Sequence, residues 1–171
     1  LVHDTVEHLL RYLHVTVKAD LSHINSLSRI AKEQFMNLDA TAVRNLELIK
    51  NMRDGSKRGT LLDVLDFTST SMGARKLRNW IECPLLDLSQ IRSRQEAVGE
   101  LLTNVQMRGN LQDKLKAIFD LERIVSRIEV GSANARDLVS LRSSLAVLPE
   151  IKSLLRYCNS KLLQKLCEDV H

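Results

Sequence analysis

A chain of 171 residues, 44% hydrophobic and 27% charged, has ordinary globular usage and is long enough to bury roughly 70% of its unfolded surface. Aromatic residues make up only 4%, and Gly and Pro number six and two, a balance that favours helix over sheet. The formal charge of +4 is spread thinly, with Lys and Arg outnumbering Asp and Glu by 9 to 7 in residues 1–60, 8 to 7 in 61–119 and 8 to 7 in 120–171, which excludes a concentrated basic arm.

The first element read along the chain is an amphipathic helix carrying Val6, Leu9, Leu10, Leu13 and Val17 at steps of three and four. Residues 20–38, with Ile24, Leu27, Ile30, Phe35 and Leu38 scattered among polar residues, read as an extended connection with room for one short strand. Asp39 has the chemistry of an N-cap for a helix placing Val43, Leu46, Ile49 and Met52 on one face, stopped by Gly55. Thr60 and Asp63 resemble a capping pair opening a helix over 61–67. The next helix spans about 72–82, buries Ala74, Leu77 and Ile81, and ends before Pro84.

Asp87 or Ser89 caps a helix whose Leu88, Ile91, Gln95, Val98, Leu102 and Val105 alternate three and four apart, a stripe suited to a partner helix. Further stripes occur at Met107, Leu111, Leu115 and Ile118, at Leu121, Ile124, Val125 and Ile128, and at Leu138, Leu141, Leu145 and Leu148. Pro149 suits the first turn of a new helix with Ile151, Leu154 and Leu155, and Ser160 caps a last one with Leu162, Leu163 and Leu166. The fold class is therefore all-α and multi-helical.

Residues with chemistry are few. The turn from Gly55 to Thr60 is the nearest approach to a phosphate loop, yet Lys57 precedes the second glycine where a nucleotide-binding loop has lysine after it. It reads as a solvated turn, with Lys57 and Arg58 as candidate contacts to a DNA backbone. Arg75, Lys76 and Arg78 form the densest basic cluster; a solvated or internally paired face is weighed against phosphate contact by Arg75 and Arg78. Trp80, the sole tryptophan, is a core residue or a base-stacking one. His3, His8, His14, His23 and His171 lack the spacing of a metal pair, and Cys83, Cys158 and Cys167 contain no Cys-x-x-Cys. No catalytic, cofactor-binding or metal residue is assigned. The cysteine usage suits a reducing compartment, and neither a long apolar run nor a basic leader indicates a membrane or export. An opening at Leu1 and a close within an apolar-periodic stretch read as a piece of a longer polypeptide.

Four blocks, in this order, resemble the core domain of the MutS family: Leu38-Asp-Ala-Thr-Ala-Val-Arg-Asn-Leu-Glu-Leu48, Gly59-Thr-Leu-Leu-Asp-Val-Leu-Asp66, Thr68-Ser-Thr-Ser-Met-Gly-Ala-Arg-Lys-Leu-Arg-Asn-Trp-Ile81 with Pro84-Leu-Leu-Asp87, and Asp120-Leu-Glu-Arg-Ile124 followed by Ala135-Arg-Asp-Leu138. The resemblance covers roughly residues 36–150. It implies that residues 1–35 hold the end of a connector domain and the leading segment of the core, and that 36–171 form the helical core running toward lever helices. The function implied is a structural and signal-transmitting core joining a DNA-clasping clamp to an ATPase. ATP and magnesium would sit in a separate ATPase domain, and the parent would bind mismatched duplex DNA, as a dimer, with a MutL-type partner downstream. Such a parent would be cytoplasmic in a bacterium or nuclear in a eukaryote. The family's mismatch-probing Phe-x-Glu is absent, since Phe35, Phe67 and Phe119 are followed two residues later by Asn37, Ser69 and Leu121.

Under this reading Gly73 permits close helix packing, Leu77, Trp80 and Pro84 belong to the transmitting framework, Glu122 and Arg123 pair across helices, and Arg44 and Asn45 fix a junction. Two other readings remain: a helical protein-interaction or adaptor module without a nucleic-acid role, and a stand-alone helical DNA binder, which would need a concentrated basic face.

Overall fold

The computed structural model describes residues 2–17 and 34–170. Two compact units divide the chain, Leu1–Ala31 and Lys32–His171. The first contains α1 (Val2–Val17), the amphipathic helix expected from Val6, Leu9, Leu10 and Leu13, in which the Thr16 hydroxyl donates to the Tyr12 carbonyl at 2.6 Å. Ile24, Leu27 and Ile30 of the expected connection, and His23, lie outside the described residues.

The second unit is built on two apolar clusters. The smaller joins α2 (Ala40–Asn45), α3 (Leu61–Leu65) and α4 (Ser71–Glu82) through Leu48, Ile49, Leu62 and Ile81, with Leu38, Val43 and Leu77 packed around them. The larger joins α5 (Leu88–Thr103), α6 (Val105–Lys116), α8 (Ala135–Leu155) and α9 (Lys161–Asp169) through Ala97, Met107, Leu111, Ile151, Leu155, Cys158, Leu163 and Cys167. Helix α7 (Leu121–Glu129) lies against α8 and buries Ile124, which is 2% exposed. Each large aliphatic side chain so buried contributes about 1.5–3 kcal/mol. Among the described residues all regular structure is helical. Of the segment 20–38 in which a short strand was allowed for, the described residues 34–38 hold one isolated antiparallel bridge, Phe35 with Leu85, flanked by Met36 N–H donating to the Pro84 carbonyl (2.8 Å) and Leu86 N–H to that of Gln34 (3.1 Å).

Helix starts follow the expected cap chemistry. Asp39, Thr60 and Asp87 each accept a backbone N–H at the start of α2, α3 and α5, while Asp120 on α7 and the capping box of Asn134 with Asp137 on α8 are caps that the sequence had not marked. Ser160 is the exception, making no side-chain cap bond. The carboxylate of Glu100 on α5 instead accepts the N–H groups of Asn159 (2.6 Å) and Ser160 (2.7 Å), pinning the start of α9 to another helix.

Three further expectations are corrected. The helix after Asp39 stops at Asn45, because Glu47 takes a left-handed φ of +48° and its carboxylate accepts Met52 N–H at 2.6 Å. The chain thereby turns so that Leu48 and Ile49 face Leu62 and Ile81, leaving Leu46 and Met52 exposed. Pro149 begins no new helix but lies inside α8 on its exposed side, where water can reach the carbonyl one turn back that proline leaves without its N–H. The stripes of α5 and α8 are also rotated. Leu88, Val98 and Leu102, and Val105 at the start of α6, lie outward while Ala97 is buried, and Leu138 and Leu145 lie outward while Ser144, Ile151 and Leu155 are buried. Small residues let helices approach closely, so Ala97 and Ser144 mark the contact face better than the bulkier leucines beside them.

Candidate functional site

Helix α4 is held on three sides by three kinds of contact. Its start is capped by the Thr70 hydroxyl, which accepts Gly73 N–H at 2.9 Å. A methyl group at Gly73 would stand 3.0 Å from that hydroxyl oxygen and 3.4 Å from Thr68 Cβ. Gly73 therefore permits a tight cap loop; the close approach is to its own N-terminal turn and not to another helix. Leu77 and Ile81 face the smaller apolar cluster. Trp80, 38% exposed, lies under the guanidinium of Arg94 from α5, 3.7 Å from the ring centre, so one of its faces is covered by a cation. Burial pushes the Arg94 guanidinium down from its ordinary value. Cys83 closes the helix, and Pro84 supplies the carbonyl that fixes Met36.

The third contact is ionic. Arg75 donates through Nη1 and Nη2 to the two Asp120 oxygens at 2.8 and 2.7 Å, and through Nε to Glu122 Oε2 at 3.0 Å, with Nη2 also paired to Glu122. The Ser71 hydroxyl donates to Asp120 Oδ2 at 3.0 Å. Asp120 caps α7 and Glu122 lies in its first turn, so two residues of α4 grip the N-terminus of α7. A forked guanidinium on a carboxylate sets direction as well as attraction.

Pairing across helices thus occurs, but Glu122 makes it with Arg75, while Arg123 among the described residues pairs with Asp120 within its own turn, at 3.4 Å. Arg78 pairs with Glu82 one turn on, at 3.3 Å. Asp120, within the block Asp120-Leu-Glu-Arg-Ile124, has no partner that its sequence context points to. An acid at a helix start is ordinarily spent on backbone N–H groups, and nothing in spacing announced that an arginine 45 positions earlier would claim it. Arg94 gave no signal either.

The electrostatics follow from this geometry. The Arg75 guanidinium holds the Asp120 carboxyl well below its ordinary 3.8, outweighing burial, which acts the other way, and the Ser71 hydroxyl adds to the depression. Asp120, followed by Glu122, raises Arg75 above its already high value. A carboxylate depressed in the folded state contributes stability above the unfolded value, and that contribution is lost as pH falls through 3.8 toward the folded value. Arg75 stays charged throughout the working range. Asp120→Asn is therefore expected to lower Tm at neutral pH by a few degrees and to flatten the fall in Tm between about pH 4 and 2. Thermal melts along a pH series check this; a slope equal to that of the parent chain would sink it. Asp54, Asp66, Asp87, Asp113 and Asp137 are also depressed and act in the same direction.

The turn around Lys57 and Arg58 is already filled. Asn51 Oδ1 accepts the N–H groups of Asp54 and Gly55, Asp54 Oδ1 accepts that of Ser56, and Asp63 Oδ2 accepts that of Gly59. Lys57 is paired with Asp66 at 2.5 Å, and the Arg58 carbonyl accepts from Asn51. A phosphate cradle needs free N–H groups converging on one point, so these residues do not fit a nucleotide phosphate, and no metal-holding group of three His, Cys, Asp or Glu occurs among the described residues. Arg44 and Asn45 end α2 with exposed side chains. No helix among the described residues is long and apolar enough to cross a membrane.

These observations define a multi-helical module whose hub is a helix clasped by a neighbour's acidic N-terminus. The family model for MutS domain III matches residues 41–170. The DNA mismatch repair protein MutS of Symbiobacterium thermophilum is 48% identical over 157 residues, covering 92% of this chain and 18% of that protein. The same-named proteins of Desulforamulus reducens and Pelotomaculum thermopropionicum are 46% and 50% identical over 92% and 86% of this chain, and 18% and 17% of their own lengths. The chain belongs to the MutS family, in which it corresponds to domain III. It spans less than one fifth of the length of these relatives.

Proposed function

We propose that this chain is the structural and signal-transmitting core of a DNA mismatch-recognition ATPase, coupling the DNA-clasping part of the polypeptide to the part that binds nucleotide. The observation that carries this reading is the α4 hub, which ties one apolar cluster to α5 through Trp80 and to α7 through Arg75. Elements joined this way move together, which is what passing a displacement between distant sites requires. The names of the relatives support a role in mismatch repair, and their bacterial origin supports a cytoplasmic location. Under this reading the core contributes no catalytic group. ATP and magnesium are held in another domain, and mismatched duplex, a second subunit and a MutL-type protein are partners of the whole assembly.

The test uses the full-length polypeptide carrying Arg75→Ala, Asp120→Ala, both together, and the exchanged pair Arg75→Asp with Asp120→Arg. Affinity for mismatched duplex and basal ATP hydrolysis should each stay within about twofold, while stimulation of hydrolysis by mismatched DNA falls on the order of fivefold, a typical coupling loss. The double variant should be no worse than either single one, and the exchanged pair should recover part of the coupling. Stimulation unchanged in all four variants would remove Arg75 from transmission.

A further inference from the structure

An open groove of about 750 Å³ runs between the α2 region and α4, separate from the clasp just described. Its walls are aliphatic, formed by Leu38, Val43, Ile49 and Met52, with the last 63% exposed. Three cations line it against one carboxylate: Arg78 is paired with Glu82, whereas Arg44 and Lys50 have no ion-pair partner among the described residues. The rim is stiffened. Asn51 makes four side-chain hydrogen bonds, to Ser56 and the Arg58 carbonyl as donor and from Asp54 and Gly55 as acceptor, and the Glu47 carboxylate holds Met52 N–H. A preformed groove loses little entropy on being filled.

We propose that this groove seats a segment of the longer polypeptide, outside residues 1–171, that inserts an aliphatic or aromatic side chain between Leu38, Val43, Ile49 and Met52 and sets neighbouring carboxylates against Arg44 and Lys50. Charge complementarity fixes the acidic character of the occupant, and the aliphatic walls fix its apolar character. A DNA backbone would use the cations and leave the walls empty. The occupant belongs to the same polypeptide because more than four fifths of the length of the relatives lies outside the matched region, and a tethered segment competes at high effective concentration. This source rests on the reading above that the chain is part of a MutS-length protein.

The experiment places the photo-cross-linking residue p-benzoylphenylalanine at position 52 of the full-length polypeptide, irradiates it, and maps the adduct by mass spectrometry. A mixture of isotopically light and heavy protein separates adducts within one polypeptide from those between two. The expected adduct joins position 52 to a peptide of the same polypeptide outside residues 1–171, with Asp or Glu within two residues of a large apolar side chain. Arg44→Glu with Lys50→Glu, both exposed positions, should cut its yield about tenfold. An adduct to duplex DNA, to a second polypeptide, to residues 1–171 or to a segment without acids overturns the proposal, as does the absence of any adduct. The same preparations are assayed for binding mismatched duplex, so failure of the groove result with that binding intact leaves the preceding functional reading in place.

Discussion

Ile124→Ala should lower the stability of the chain by about 3 kcal/mol, measured by urea unfolding, with an unchanged slope of free energy against denaturant. At this chain length that corresponds to a Tm lower by roughly 6–12 °C. The side chain is 2% exposed, and it is the buried residue of the helix that Arg75 grips. Removing it takes away the transfer free energy of three carbons and opens a cavity between α7 and α8 that neither helix can close without moving the clasp. Ile128, one turn on and 41% exposed, is the control: its alanine variant should cost less than about 1 kcal/mol. Equal losses at the two positions would mean that α7 is not anchored through Ile124.

Ser144→Ala should cost about 2 kcal/mol although it removes one oxygen atom and no carbon. Ser144 is fully buried in α8; its hydroxyl accepts Phe119 N–H at 3.0 Å and donates to the Ser140 carbonyl at 2.8 Å. Phe119 lies in the connection between α6 and α7, immediately before Asp120. Alanine leaves that N–H without its acceptor beside a face that excludes water, a cost that the better helix propensity of alanine does not offset. Ser143, exposed on the same helix, should tolerate alanine within about 0.5 kcal/mol. Calorimetric melts of the two variants decide the matter, and indistinguishable Tm values would show that Phe119 N–H finds water.

Helix number and position were largely readable because caps and apolar spacing are local. Asp39, Thr60 and Asp87 start helices where their chemistry says they should, and Pro84 ends one. Which side of a helix faces inward was less readable. On α5 the leucines and valine at 88, 98 and 102 form the more regular stripe, yet Ala97 faces the core, because a periodicity rule weighs bulk and has no measure of how closely two axes approach. The end of α2 was missed because the left-handed turn at Glu47 rests on a carboxylate reaching forward five residues, and glutamate is not a residue whose type announces such a turn. The candidate site was legible in its parts. Arg75 was marked as basic and Glu122 as a pairing residue, but their partnership joins residues 47 apart and depends on how α4 and α7 pack.

The three attachments of α4 differ in how salt affects them. Dissolved ions weaken exposed charge pairs over a Debye length of about 8 Å at physiological strength and leave apolar contacts intact or slightly strengthened. Arg75 is 39% exposed and Glu122 68%, so rising ionic strength loosens α4 from α7 before it loosens α4 from Leu62 and Ile81. The hub is therefore an anisotropic joint whose stiffness toward α7 is set by the surrounding electrolyte, while its seating on the smaller core is not.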